Sequence, residues 1–211
     1  MRPGRPRNTN IDDAVLTETL SALDAHGYRF SLEEVARRAG TSKPAVYRRW
    51  PTRQNLVLAA LSRRLGSVEP PDTSCSMCDL SESLSLFVDA FRRMPPGVLT
   101  PLLADCADDE DLHATFMATL FDPPRAAVRR TLSRAHARGD LRSDLDLDLV
   151  VDLLGAFVYY RALFGHAPIS PEEIEATVDT TLQGIATDYP RLLREVRLHD
   201  SAVESHLLHA D

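Results

Sequence analysis

The sequence predicts an all-α protein, with an N-terminal three-helix head followed by a C-terminal helical bundle. Three observations carry this. Ala, Leu, Arg and the acidic residues dominate while glycine is sparse, 9 in 211 residues, and β-branched alternation is nearly absent. Apolar residues recur at helical spacing in one segment after another. Capping and stop residues bracket those segments. With 44% hydrophobic residues the chain is long enough to bury a sizeable core in one or two small domains.

The head occupies residues 1–66. Residues 1–10 form an arm, Arg2-Pro-Gly-Arg-Pro-Arg7, whose prolines deny it a helix. Its extended shape presents Arg5 and Arg7 to a narrow minor groove, and equally suits a solvated tail. A first helix over 11–26 turns Val15, Leu16, Leu20 and Leu23 inward and stops at Gly27. Ser31 and Glu34 have the spacing of a capping box. Leu32, Val35, Ala36 and Ala39 give the second helix its apolar face, and Gly40 is a left-handed stop. Thr41 and Ser42 are placed to cap a third helix, where Pro44 fits the first turn because a missing N–H costs nothing there. Thr52 caps a fourth helix over 53–65, with Leu56, Val57, Ala60, Leu61 and Leu65 along one side.

A linker over 67–79 carries Pro70, Pro71, Ser74 and Ser76. The body, 80–198, then reads as helices at about 80–94, 98–106, 109–120, 123–138, 146–165 and 171–187. Asp122 and Ser170 are expected as caps, Gly139 as a stop, and Ser170 with Glu173 as a second capping box. A short helix from Pro190 to Leu198 and a polar tail over 199–211 finish the chain. The helix at 146–165 is apolar nearly all round, with Leu149, Val150, Leu153, Leu154, Phe157, Val158, Tyr160 and Phe164 among its residues. Such a helix needs cover on every side. One side faces its own subunit; the other, with the helix at 171–187, is expected to meet a second copy across a two-fold axis.

The chemistry is concentrated between Ser31 and Trp50. Two short helices joined by a tight glycine turn, the second basic and aromatic, form a unit that fits the major groove of DNA. The net charge of −7 conceals an asymmetry. Residues 1–65 hold 12 basic against 6 acidic side chains, and the remainder holds 12 against 25. A basic head on an acidic body suits a polyanionic partner met in one orientation. No paired nucleophile and base, glycine-rich phosphate loop or metal triad stands out, so neither an enzyme nor a cofactor is expected. The N-terminus lacks an apolar signal segment, and the longest apolar run is broken by Asp146, Asp148, Asp152 and Arg161, so a cytoplasmic protein without a membrane span is expected. Cys75-Ser-Met-Cys78 lacks the second pair that a zinc site needs. With Cys106, these cysteines read as incidental free thiols, or as the sensors of a redox-responsive regulator. His199, His206 and His209 lie in the tail, where metal binding is not expected.

On Ser31, Val35-Ala36, Ala39-Gly40, Val46-Tyr47, Trp50 and Arg53, residues 10–65 resemble the tetracycline-repressor (TetR) family of bacterial transcription regulators. The Gly139-Asp-Leu-Arg142 turn and the long apolar helix with Tyr159-Tyr160-Arg161 resemble the family's body. The resemblance implies a DNA-binding head on a ligand-binding, dimerising body, and a repressor released from its near-palindromic operator by a small molecule. It further implies roles by position. Thr41 and Ser42 cap the recognition helix and hold phosphate. Lys43, Pro44 and Ala45 read bases. Tyr47, Arg49 and Arg53 hold phosphate, Arg48 joins the DNA-binding set at a position that usually varies in the family, and Trp50 packs beneath the helix and touches the backbone. Gly4-Arg5-Pro6 also resembles an AT-hook core. Phe87, Phe91, Met94, Leu103, Phe116, Met117, Leu120, Phe157 and Tyr160 are candidates to line an effector pocket, and each also fits plain core packing. Their character suggests an apolar or aromatic effector.

Overall fold

Short polar side chains at helix starts and glycines at helix ends set the order of elements. The structure, a computed structural model, describes residues 9–196. It contains α1 (Thr9–His26), a 3-10 turn (Gly27–Arg29), α2 (Leu32–Arg38), α3 (Lys43–Tyr47), α4 (Arg53–Leu65), α5 (Ser76–Arg92), α6 (Leu99–Ala107), α7 (Glu110–Phe116), α8 (Asp122–Ala137), α9 (Leu147–Phe164) and α10 (Pro171–Ile185). A last helix, α11, covers 189–196. No strand occurs among the described residues; an isolated antiparallel bridge joins Leu141 and Ala186. The fold is all-α.

The caps follow the sequence closely. Thr52 Oγ1 accepts from Asn55 N, and Asp146 accepts from Asp148 N and Leu149 N. The Ser170–Glu173 capping box is complete in both directions. Each such cap is worth about 1 kcal/mol.

Three expectations need correction. The helix after the linker starts at Ser76, not 80, so Cys75 to Asp79 are not linker: Asp79 N donates to Cys75 O at 2.8 Å. Asp122 does not cap a separate helix. A π-helical turn over Met117–Phe121 joins α7 to α8 without a break, in the segment where Pro123 and Pro124 have no N–H to give. At the third helix, regular structure ends at Tyr47, and Arg48 to Trp50 form the turn that follows.

The chain divides into two compact units, and the division does not follow the order head, linker, body. Among the described residues the first comprises 9–66 with 92–122, and the second 67–91 with 123–196. In the first, Val15 and Leu23 of α1 lie buried with Leu56, Val57, Ala60 and Leu61 of α4. Leu16 and Leu20 are half-buried. Leu102 and Cys106 of α6 and Phe116 of α7 complete this core. Asp105 of α6 accepts hydrogen bonds from the Tyr28 hydroxyl at 2.7 Å and from Gln54 Nε2 at 3.0 Å. Burial, then the Asp105 carboxylate, raises the Tyr28 pKa, so the phenol stays a donor.

In the second unit, Leu80, Leu84, Phe87 and Val88 of α5, Val128 and Leu132 of α8, Val150, Leu154 and Val158 of α9, and Ile174, Val178 and Leu182 of α10 form one core. Phe87, Phe91 and Tyr159 form an aromatic cluster, with centroids 4.9 Å apart for Phe91–Tyr159 and 5.3 Å for Phe87–Tyr159. Asp140, 4% exposed, pairs with Arg138 at 3.2 Å and with Arg191. It also accepts from Ser76 Oγ at 2.5 Å. A buried carboxylate needs such partners, and these tie the start of α5 and α11 to the turn after α8.

One face of α9 has no cover among the described residues. Leu149, Leu153, Tyr160 and Phe164 are 57%, 61%, 58% and 72% exposed. They recur along one side, opposite the buried Val150, Leu154 and Val158. Among the described residues no helix is long and apolar enough to cross a membrane.

Candidate nucleic-acid interface

The helix-turn-helix is built by its turn. Ser31 Oγ accepts from Glu34 N at 3.3 Å and starts α2, but the expected capping box is only half formed. The Glu34 carboxylate turns instead to Arg37 and Arg38, with contacts of 2.6 to 2.9 Å. These hydrogen bonds, Arg37 first, hold its pKa at about 2. Gly40 ends α2 at φ +66°, a conformation that an L side chain resists, and Thr41 N closes onto Ala36 O at 2.9 Å. Ser42 is extended, and its carbonyl accepts from Ala45 N and Val46 N. Its hydroxyl makes no capping bond, contrary to expectation. It is exposed and Thr41 half-buried.

Helix α3 has two faces. Ala45 and Val46, 8% and 1% exposed, are part of the buried core. Ala45 therefore supports the helix instead of facing outward as a base reader. Pro44 and Arg48 are exposed, and Tyr47 is 40% exposed. Lys43 sits at the helix start with its ammonium paired to Glu33 Oε1 across the turn. The pairing raises the lysine pKa and lowers that of the glutamate. Ser42, Pro44, Tyr47 and Arg48 are thus exposed on the turn and α3, with Thr41 and Lys43 half-buried beside them in the sequence.

Two arginines are committed elsewhere. Arg49 pairs with Asp12 of α1 and donates from Nη1 to Ala45 O at 3.1 Å. Arg53 donates from Nη2 to the main-chain carbonyls of Tyr28 and Phe30 at 2.5 and 2.8 Å. Its guanidinium carbon lies 4.1 Å from the Phe30 ring centroid and 5.3 Å from that of Tyr28. This is an internal brace, not a side chain held out for phosphate. Trp50 is half-buried. Arg5 and Arg7, with the AT-hook-like Gly4-Arg5-Pro6, lie outside the described residues.

Glu33 and Asp12, the acidic partners of Lys43 and Arg49, were missed by the sequence reading. Neither pair has a helical i,i+3 or i,i+4 spacing that would reveal it.

The effector candidates fall in both units. Phe116 and Leu120 are buried and Met94, Leu103 and Met117 half-buried in the first. Phe87 is buried and Phe91 and Phe157 half-buried in the second. Tyr160 points outward with the uncovered face of α9, its ring tilted against Phe164 at 5.2 Å and His166 at 4.6 Å between centroids, so it does not line an interior. Phe157 lies under the Arg161 guanidinium at 4.7 Å. Cys75 and Cys78 are joined as a disulfide and so are not free thiols; Cys106 is free and buried. Among the described residues no group of three His, Cys, Asp or Glu is placed to hold a metal ion.

Comparison with known proteins agrees with this geometry. Residues 15–60 match the family described as bacterial regulatory proteins, tetR family. Residues 70–181 match the tetracyclin repressor-like C-terminal domain. An uncharacterized HTH-type transcriptional regulator of Mycobacterium tuberculosis is 28% identical over 181 residues, covering 85% of this chain and 88% of its own. A DNA-binding transcriptional repressor TetR of Mycobacteroides abscessus is 33% identical over 125 residues, 58% of this chain and 66% of that protein. Among solved structures, a TetR family transcription regulator is 30% identical with a TM-score of 0.64, covering 83% of this chain and 98% of its own. A flavonoid-responsive regulator shares the fold at 16% identity, with a TM-score of 0.60 and coverage of 85% and 98%. The chain belongs to the tetR family and is a DNA-binding transcriptional regulator.

Proposed function

We propose that this regulator is an effector-responsive repressor that binds a near-palindromic operator as a homodimer. The observation that carries the reading is the exposed edge of α3. Pro44, Tyr47 and Arg48 face outward beside Lys43, while Ala45 and Val46 anchor the helix. In a helix-turn-helix, the N-terminal residues of the recognition helix meet base edges and the later ones meet the backbone. Lys43 is the base reader, donating to guanine O6 and N7 once it leaves Glu33. Thr41, Ser42, Tyr47 and Arg48 hold phosphate, joined by Arg49 when it leaves Asp12. Arg53 positions the head from within.

Dimerisation through α9 and α10 is supported by the uncovered row Leu149, Leu153, Tyr160 and Phe164. A row of large apolar side chains this exposed marks an interaction surface, and a two-fold contact would give two α3 helices spaced about 34–36 Å apart. The effector is a small apolar or aromatic molecule, supported by the aromatic cluster Phe87–Phe91–Tyr159. It must prefer the conformation that does not fit the operator, because equal affinity for both states shifts nothing. Such a regulator acts on the chromosome in the bacterial cytoplasm.

Selection of bound duplexes from a random pool, with the mass of the complex measured in parallel, tests this reading. Two half-sites related by dyad symmetry and two protein chains per duplex are expected. A single half-site bound by one chain overturns the dimer.

A further inference from the structure

The CxxC motif sits where cysteine chemistry is favoured. Cys75 is immediately followed by the seventeen-residue α5, and Cys78 lies in its first turn. Their Cα atoms are 5.3 Å apart and their sulfurs are bonded. The Cys78 N–H donates to Cys75 Sγ at 3.3 Å. The turn that presents them is fixed: Thr73 gives N–H and hydroxyl hydrogen bonds, 3.0 and 2.8 Å, to buried Asp79, and Cys75 N donates to Thr73 Oγ1 at 3.3 Å. The two sulfurs are not equivalent. Cys75 is 6% exposed, whereas Cys78 is half-buried and opens onto a groove of about 600 Å³. With Met77 and Ser81, that groove is lined by Glu172, Glu175 and Asp179 and, among the described residues, by no cationic side chain. The Ser170 hydroxyl holds the Glu172 carboxyl below the usual range.

We propose that Cys75 and Cys78 form a thiol–disulfide exchange site, and that the acidic groove beside Cys78 admits neutral or cationic low-molecular-weight thiols and disulfides in preference to anionic ones. This goes beyond the DNA-reading function and does not depend on it. In the reducing direction a thiolate RS⁻ attacks Sγ of Cys78. The Cys78–SR bond forms, the Cys75–Cys78 bond breaks, and the electron pair leaves on Cys75. That sulfur is the better leaving group, because the Cys78 N–H in the first turn of α5 donates to it and stabilises the thiolate. A second RS⁻ attacks the R-side sulfur of the mixed disulfide, forming RSSR and releasing Cys78 as thiolate. Two thiols are oxidised, one disulfide is reduced, and the two protein thiolates take up the protons that the two RSH molecules lost. Cys106 takes no part: it is buried, and burial, then Asp105 and Asp109, push its thiol pKa up, which keeps it protonated.

The test uses the full chain. Its disulfide is reduced with cysteamine, a cationic thiol, and with 3-mercaptopropionate, an anionic one, at equal thiolate concentration and low salt. Cysteamine is expected to react faster by on the order of tenfold, a ratio that shrinks as salt screens the carboxylates. Combined Glu172→Gln, Glu175→Gln and Asp179→Asn substitution is expected to abolish most of the preference. In Cys75→Ser the remaining Cys78 should accumulate a mixed disulfide with cystamine, while in Cys78→Ser the buried Cys75 should not. Equal rates in the wild-type chain, a preference independent of salt, or an adduct that forms on Cys75 instead of Cys78 would overturn the proposal. The salt dependence is read on the wild-type chain, so the test stands even if a variant fails to fold.

Discussion

The guanidinium of Arg53 lies over the ring of Phe30 and binds the carbonyl oxygens of Tyr28 and Phe30, so α4 holds the loop between α1 and α2 through one side chain. Arg53→Ala removes two charge-assisted hydrogen bonds and a stacking contact and leaves the acceptors short of partners. A loss of about 2–3 kcal/mol in stability is expected by denaturant unfolding. The salt slope of DNA binding should stay unchanged, since no phosphate contact is lost. Arg53→Lys should recover only part of the stability, because an ammonium lacks the planar fork. A slope lower by about 1 would instead make Arg53 a phosphate ligand.

Lys43 and Glu33 are paired across the recognition turn, so DNA has to compete for the lysine. Glu33→Gln is expected to tighten binding several-fold at low salt, with little effect on stability, because solvent and salt screen an exposed ion pair. Lys43→Ala should cost about 1–3 kcal/mol at one base pair per half-site. Fluorescence anisotropy on operator duplexes with single substitutions measures both. Uniform weakening on every duplex would make Lys43 a backbone contact.

The uncovered row on α9 predicts a simple change of assembly. Leu153 is 61% exposed in the single chain, so Leu153→Asp should leave the fold intact and produce a monomer by sedimentation. Operator affinity should fall by orders of magnitude with the loss of the second head. A dimer that survives Leu153→Asp and Leu149→Asp together would remove α9 from the interface.

Glu34 supplies a pH prediction. Arg37 and Arg38 hold its pKa at about 2, against 4.5 for an ordinary glutamate. A depressed folded-state value means that its contribution is present above about pH 4.5 and is lost as the pH falls toward 2. Exposure and salt keep that contribution small. Carboxyl chemical shifts should titrate near 2 in the wild type and move toward 4.5 in Arg37→Gln with Arg38→Gln; an ordinary wild-type midpoint would contradict the pairing.

Much of the fold was legible because it rests on local signals. Thr52 and the Ser170–Glu173 box act within one helical turn, and each caps as its spacing predicts. What stayed hidden depends on distance. Asp122 reads as the cap of a new helix, yet the π-helical turn over Met117–Phe121 carries the chain past it. The start of α5 lies inside a Pro/Ser-rich stretch, and its anchor is the Ser76–Asp140 hydrogen bond, sixty-four residues apart. At the candidate interface, residue types pointed to the segment around α3. They did not tell Arg48, which is exposed, from Arg49 and Arg53, which are engaged by Asp12 and by main-chain carbonyls.

The central claim is that α3 reads DNA sequence from its N-terminal end. Selection of duplexes from one random pool by the wild-type chain and by Lys43→Ala tests it most directly. A dyad-symmetric site is expected for the wild type, and for the variant the same site with preference lost at a single symmetric pair of positions. Enrichment of an identical site by both proteins, or of none by the wild type, would contradict it.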